Sequence, residues 1–155
     1  MLEKLKKSFT ILMADDDPDD LILIRDAFDE NRFEGEIQCV NDGEELLDYL
    51  NNRGKYINPD LFPKPDLILL DLNMPRKDGR EALAEIKTDP NLKILPIIVL
   101  TTSNSAEDII RSYNLGANSY IIKPMTFNAL TKTVANLGIY WFKTAKLPPV
   151  QRNNG

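Results

Sequence analysis

Four apolar runs of four to six residues recur along this chain, with helical patterns between them. Residues 9–14, 65–70, 96–100 and 119–122 are apolar and partly β-branched, and each is too short to form a buried helix. Such runs form strands covered on both faces. A weaker run, 36–40, alternates polar with apolar residues and is expected at an edge of the sheet. Residues 19–31, 44–52, 80–88, 106–114 and 127–142 carry helical patterning. Five strand–helix units in alternation predict an α/β fold: a doubly wound, five-stranded parallel sheet with right-handed crossovers and helices on both faces.

In such a sheet, ligands bind beyond the carboxyl ends of the strands, where the strand order reverses. Asp15 and Asp16, Asp71, Thr101 and Lys123 all stand at those ends. Two carboxylates separated by about 5 Å at an effective dielectric near 20 repel by roughly 3 kcal/mol, a large part of a domain's net stability. A cation, or a raised pKa, relieves such a cluster. Oxygen donors without Cys or His favour magnesium, manganese or calcium, and two carboxylates are too few for a typical all-protein calcium cage. Magnesium is therefore the expected ion.

The acidic run at residues 15–20 has to be divided. Asp17 and Pro18 fit the N-cap and first position of a helix, and Asp19 and Asp20 complement the dipole of its first turn. That assigns those three aspartates structural work and leaves Asp15 and Asp16 for the site. Asp66 begins the third strand and is expected about 17 Å from the site edge, at roughly 3.3 Å per residue.

Length and composition fit one compact domain, expected over residues 1–145, with a flexible tail over 146–155. The Pro-rich stretch 56–65 fits a long loop. No run reaches transmembrane length and no secretory signal is present, so a cytoplasmic protein without a membrane contact is expected. Net charge is −5 and the basic run is confined to residues 4–7, which argues against nucleic acid as a partner. The lone Cys39 fits a small buried hydrophobe.

Four motifs in order make the pattern familiar. Ile11-Leu-Met-Ala-Asp-Asp-Asp-Pro18, Leu67-Ile-Leu-Leu-Asp-Leu-Asn-Met-Pro75 with Asp78-Gly79, Val99-Leu-Thr-Thr102, and Gly116-Ala-Asn-Ser-Tyr-Ile-Ile-Lys-Pro124 together resemble the receiver domain of two-component response regulators. The resemblance spans residues 9–141. The long loop after the second helix and the ending Gly138-Ile-Tyr-Trp-Phe142, then Leu147-Pro-Pro149, look most like the single-domain regulators paired with phytochrome-type histidine kinases. A slight departure is Ala14, where the family more often carries a β-branched residue.

The resemblance implies a (βα)5 sheet of order 2-1-3-4-5, the flavodoxin-like arrangement. It makes Asp71 the phosphoacceptor, Asp16 the principal magnesium ligand, Asp15 a second acidic group acting largely through water, and the backbone carbonyl of Asn73 a further ligand. Lys123 would neutralise the phosphoryl oxygens, Thr101 would turn its hydroxyl to the phosphate, and Tyr120 would follow as a switch. It also implies a cis Lys123–Pro124 bond, and a homodimer through the fourth helix, fifth strand and fifth helix. In the last helix Phe127, Leu130, Val134, Leu137 and Trp141 form the expected core stripe, which leaves Ile139, Tyr140 and Phe142 either for that interface or for packing against the loop that carries Leu147-Pro-Pro149. Gly79 and Gly116 are expected to serve the start and end of helices.

The chain has no histidine, so its phosphoryl donor is expected in trans: a histidine kinase or a small acyl phosphate. No DNA-binding segment follows the fifth helix, so output is expected through protein–protein contact. The expected role is thus a phosphoacceptor signalling protein rather than an enzyme. Other classes fit less well. A haloacid dehalogenase phosphatase needs a second Asp where this chain has Asn73, and an FMN carrier needs a hydroxyl-rich phosphate loop where it has Asp15-Asp-Asp17. The alternative is a receiver-like interaction module that acts without phosphorylation; such modules usually lack the acceptor or the lysine.

Overall fold

A computed structural model describes residues 8–149. The basic run at 4–7 and residues 150–155 of the expected tail lie outside them. Five strands, β1 (Phe9–Ala14), β2 (Gly35–Val40), β3 (Leu67–Leu70), β4 (Ile97–Thr101) and β5 (Ser119–Ile122), pair in parallel in the order β2-β1-β3-β4-β5. Helices α1 (Pro18–Glu30), α2 (Gly43–Leu50), α3 (Gly79–Thr88), α4 (Ala106–Leu115) and α5 (Phe127–Gly138) alternate with them. The fold is the one expected from the alternation.

Side chains of successive strand residues point to opposite faces, so the sheet divides the core in two. Leu12, Ala14, Ile68, Leu70, Ile97 and Val99 pack under α2 and α3. Ile11, Met13, Leu67, Leu69, Ile98 and Leu100 pack under α1 and α5. Because both faces are covered, β3 and β4 are buried at every residue. The chain leaves β1 for β2 on one side and returns to β3 on the other, so the crevice opens beyond β1 and β3.

Gly79 and Gly116 are each required by geometry. A Cβ on Gly79, the first residue of α3, would lie 2.1 Å from the carbonyl oxygen of Asp71 and 2.7 Å from Cα of Leu72. The start of α3 therefore rests directly on the backbone that carries Asp71. Gly116 ends α4 with φ of 109°, the left-handed conformation that glycine adopts without a steric cost.

The last helix departs from expectation. After Gly138 it continues as a π-helix, Ile139–Thr144, whose wider turn rotates each residue less than the α-helical wheel assumes. Phe142, assigned to an interface by that wheel, instead packs against Phe9 and Phe33 with ring centroids 4.4 and 5.4 Å away. Ile139 and Tyr140 remain exposed, as does Phe127 of the expected core stripe, whereas Leu130, Val134 and Leu137 are buried. Trp141 packs against the edge of the core. Leu147 and Pro148 are half-buried beyond this helix. The loop before β3 is folded rather than open, because Tyr56 and Phe62 stack on Tyr49 with centroids 5.3 and 5.8 Å from it.

Candidate functional site

Backbone pairing brings the acidic groups together. Asp15 N–H donates to Val40 O at 3.1 Å and Asp71 N–H to Ala14 O at 2.9 Å, so pairing runs one residue past β1 and β3 and sets the two side chains side by side. Lys123 N–H donates to Thr101 O at 2.8 Å, which holds the lysine just beyond β5. Its Nζ then donates to Asp15 Oδ2 at 2.7 Å, Asp20 Oδ2 at 2.8 Å and Asp71 Oδ2 at 3.2 Å. Asp15, Asp71 and Thr101 are buried, and Asp16 is exposed.

The charges respond to this packing. Burial pushes the Asp15 carboxyl above its ordinary value, because the hydrogen bonds from Lys123 and from Asp17 N–H only partly offset it. For Lys123, burial works to lower the ammonium, but hydrogen bonds to Asp15 and Asp20 and the charges of Asp15 and Asp71 together hold it above the ordinary lysine range. The lysine is thus firmly charged. One carboxylate oxygen from each of Asp15, Asp16 and Asp71 lies within 4.8 Å of the others. An all-oxygen set at that spacing suits a hard divalent cation. Asp16 makes no hydrogen bond among the described residues, so its carboxylate is free to serve as a ligand.

Thr101 Oγ1 is buried without a hydrogen-bond partner, a costly state that an incoming acceptor would relieve. The Tyr120 hydroxyl donates to Ser103 O at 2.8 Å, two residues beyond Thr101. Asn73 N–H donates to Asp71 Oδ1 at 3.3 Å, fixing the loop after β3 to that carboxylate. Asp66, at the opposite end of β3, is buried and accepts from Thr10 N–H at 2.9 Å, away from this cluster. A cavity of about 360 Å³ between Phe9, Phe28, Phe33 and Phe142 also lies at that far end, away from the acidic cluster.

Three readings need correction. Asp20, assigned only to the helix dipole, is a partner of Lys123. The signal was available: Asp20 is in the first turn of α1, and helical side chains tilt toward the N-terminus, here toward the sheet edge. The Lys123–Pro124 bond is trans, as are all the described peptide bonds; trans is the intrinsic preference at X–Pro by about 0.5–1 kcal/mol. Cys39 is half-buried rather than enclosed, with Arg25 Nη2 at 3.1 Å from its sulfur.

Residues 11–135 match the family model of the response regulator receiver domain. The chain belongs to that family. It is 41% identical to response regulator Rcp1 of Synechocystis sp. over 138 residues, which cover 89% of this chain and 92% of Rcp1. It is 38% identical to the probable methanogenesis regulatory protein FilR2 of Methanothrix harundinacea, over 90% of this chain and 88% of that one. Among solved structures, the phosphorylated cyanobacterial phytochrome response regulator RcpA superposes with a TM-score of 0.86 at 43% identity, covering 92% of this chain and all of RcpA. The Mn(2+)-bound form of Rcp1 gives 0.82 at 39% identity, covering 91% and 99%. The likeness to phytochrome response regulators expected from the chain's ending is borne out. In this receiver domain, no helix among the described residues is long and apolar enough to cross a membrane.

Proposed function

We propose that this receiver domain accepts a phosphoryl group on Asp71 from the phosphohistidine of a histidine kinase, of phytochrome type, in a magnesium-dependent reaction. The observation that carries this reading is the Asp71 carboxylate held between the charged Lys123 and the ligand-spaced carboxylates of Asp15 and Asp16. An Asp71 oxygen forms a bond to phosphorus as the phosphorus–nitrogen bond breaks, and that electron pair leaves on the imidazole. Lys123 neutralises phosphoryl oxygens, and it is already oriented by three carboxylates rather than recruited during the reaction. The Thr101 hydroxyl, buried without a partner, then donates to the bound phosphoryl group. Asp15, Asp16, Asp71 and the Asn73 carbonyl would hold magnesium, which supplies further positive charge to the phosphoryl oxygens. The product is a signal read by protein contact, which agrees with a cytoplasmic protein that binds neither nucleic acid nor membrane.

Intact-mass measurement after incubation with acetyl phosphate tests this reading: one phosphoryl group is gained with magnesium present and none after chelation. Magnesium titration of two variants then tests the division of the acidic run. Asp16→Ala should lose at least about tenfold in affinity, as even outer-shell changes do at metal sites. Asp20→Ala, which removes a partner of Lys123 and not a ligand, should lose much less. Equal losses would show that the ligands are wrongly assigned.

The output face is proposed to be α4, β5 and α5, through which two copies would pair. Ile110, Tyr113, Ile122, Ile139 and Tyr140 expose apolar surface there. Sedimentation should show a dimer after acyl-phosphate treatment and a monomer for Tyr140→Glu. A phosphorylated wild type that stays monomeric would sink the proposal. Phe142→Glu is unsuitable for this test, since Phe142 is half-buried against the core.

A further inference from the structure

Of α1 to α5, α4 is the one least held by the core: Ser112 is its one buried residue, and Ile110 and Tyr113 face solvent. An element with so few buried contacts is poised to move at low cost, and its position depends on the polar contacts at its ends. At its start those contacts converge on Arg80. Arg80 Nε and Nη2 donate to Asp108 Oδ1 and Oδ2, both at 2.8 Å, a two-pronged ion pair between α3 and the first turn of α4. The third nitrogen, Nη1, reaches 3.4 Å from Asn73 Oδ1 and 3.5 Å from Leu72 O, the two residues that follow Asp71. On the α4 side, Asp108 Oδ2 also accepts from Ser103 Oγ at 2.6 Å, and Ser103 O accepts the Tyr120 hydroxyl.

We infer that Arg80 is a positioning residue that couples the loop after Asp71 to the start of α4, so that occupancy of the acceptor site is transmitted to that helix. This rests on the proposed role of Asp71. The guanidinium is rigid and planar, and its two prongs fix α4 while the third edge faces the loop. A shift of the Leu72–Asn73 segment therefore either breaks the Nη1 contacts or carries Arg80 with it and strains the pair to Asp108. Arg80 and its partner are each largely shielded, with side chains 20% and 16% exposed, so water does not easily replace the bond. Arg80, followed by Ser103, holds the Asp108 carboxyl well below the usual carboxylate range. The same ion pair also touches the Ser103 carbonyl loop that receives Tyr120, so one contact reaches both parts of the output face.

Hydrogen exchange of the α4 amides, measured with and without magnesium and acetyl phosphate, tests this in the full chain. Arg80→Lys keeps the charge and removes the two-pronged geometry; Asp108→Asn keeps the shape and removes the charge. The wild type should show a change in α4 protection of about tenfold on loading, within the usual range of coupling between sites. Both variants should accept the phosphoryl group, and intact mass confirms it, yet lose most of that change. The double variant should lose no more than either single one, because a shared contact is not additive. A residue that merely braces α4 would alter its protection before loading and leave the response to loading intact. A wild-type response in phosphorylated Arg80→Lys, or a phosphorylated wild type with unchanged α4, overturns the inference. A wild type that gains no phosphoryl group overturns the reading of Asp71, and this inference with it.

Discussion

Asp71→Asn will fold and will gain no phosphoryl group from acetyl phosphate and magnesium, while the wild type gains one. The substitution keeps the shape of a buried side chain and leaves an oxygen to accept from Lys123. What it removes is the anion that the proposed reaction uses as nucleophile, and an amide oxygen does not replace it. Stability should stay level or rise by about 1 kcal/mol at neutral pH, because one of three crowded carboxylates is neutralised. The Asp71 charge is one of the influences that push the Asp15 carboxyl up, so that carboxyl should ionise more easily in the variant. Intact mass and urea unfolding check the two halves separately. Undiminished labelling of Asp71→Asn would move the acceptor to another carboxylate.

Lys123→Met should lower both the rate of phosphorylation and the stability of the fold. Loss of one positioned donor to a developing anion typically slows a reaction by about a hundredfold or more, and phosphorylation should slow by at least that much. The folded state also loses the cation shared by Asp15, Asp20 and Asp71. Breaking a buried charge network by removing one partner costs about 3–5 kcal/mol; Asp20 is partly exposed, so the low end applies. The pH dependence has a definite sign. Without the ammonium, burial pushes Asp15 further up, and the folded state then binds that proton more tightly than the unfolded state. The deficit of the variant against the wild type should therefore be widest at neutral pH and shrink as pH falls through the Asp15 range. In the wild type, the contribution of Lys123 is present below the ordinary lysine range and is lost as pH rises above it. Magnesium at about 100 times its dissociation constant should restore roughly 2.7 kcal/mol in either protein. A Lys123→Met protein as stable as the wild type at every pH, and phosphorylated as fast, would remove the lysine from the site.

Much of this architecture was legible because local rules and the global fold agree. β1, β3, β4 and β5 are apolar runs with a polar residue at or just after the carboxyl end, and parallel βα units leave those ends on one edge. Asp15, Asp71, Thr101 and Lys123 could therefore be placed at one edge by counting along the chain. The caps of α1 followed from Asp17-Pro18, and Asp17 does accept from Asp19 N–H at 2.9 Å. Asp20 has two roles that residue pattern alone does not separate, because a residue in the first helical turn both complements the dipole and points at the strand ends. Phe142 was misplaced because a helical wheel assumes 3.6 residues per turn, and the chain widens into a π-helix just before it.

The strand–helix alternation, the parallel sheet and the set of reactive groups at its carboxyl edge are encoded locally, since they depend on patterns only a few residues long. Tertiary structure alone decided which carboxylates Lys123 holds, that Thr101 Oγ1 is buried without a partner, and that Arg80 of α3 meets Asp108 of α4. Those pairings join residues 28 to 108 positions apart. No periodicity reaches across such separations, because side-chain distances there are set by how helices dock on the sheet and not by rise per residue.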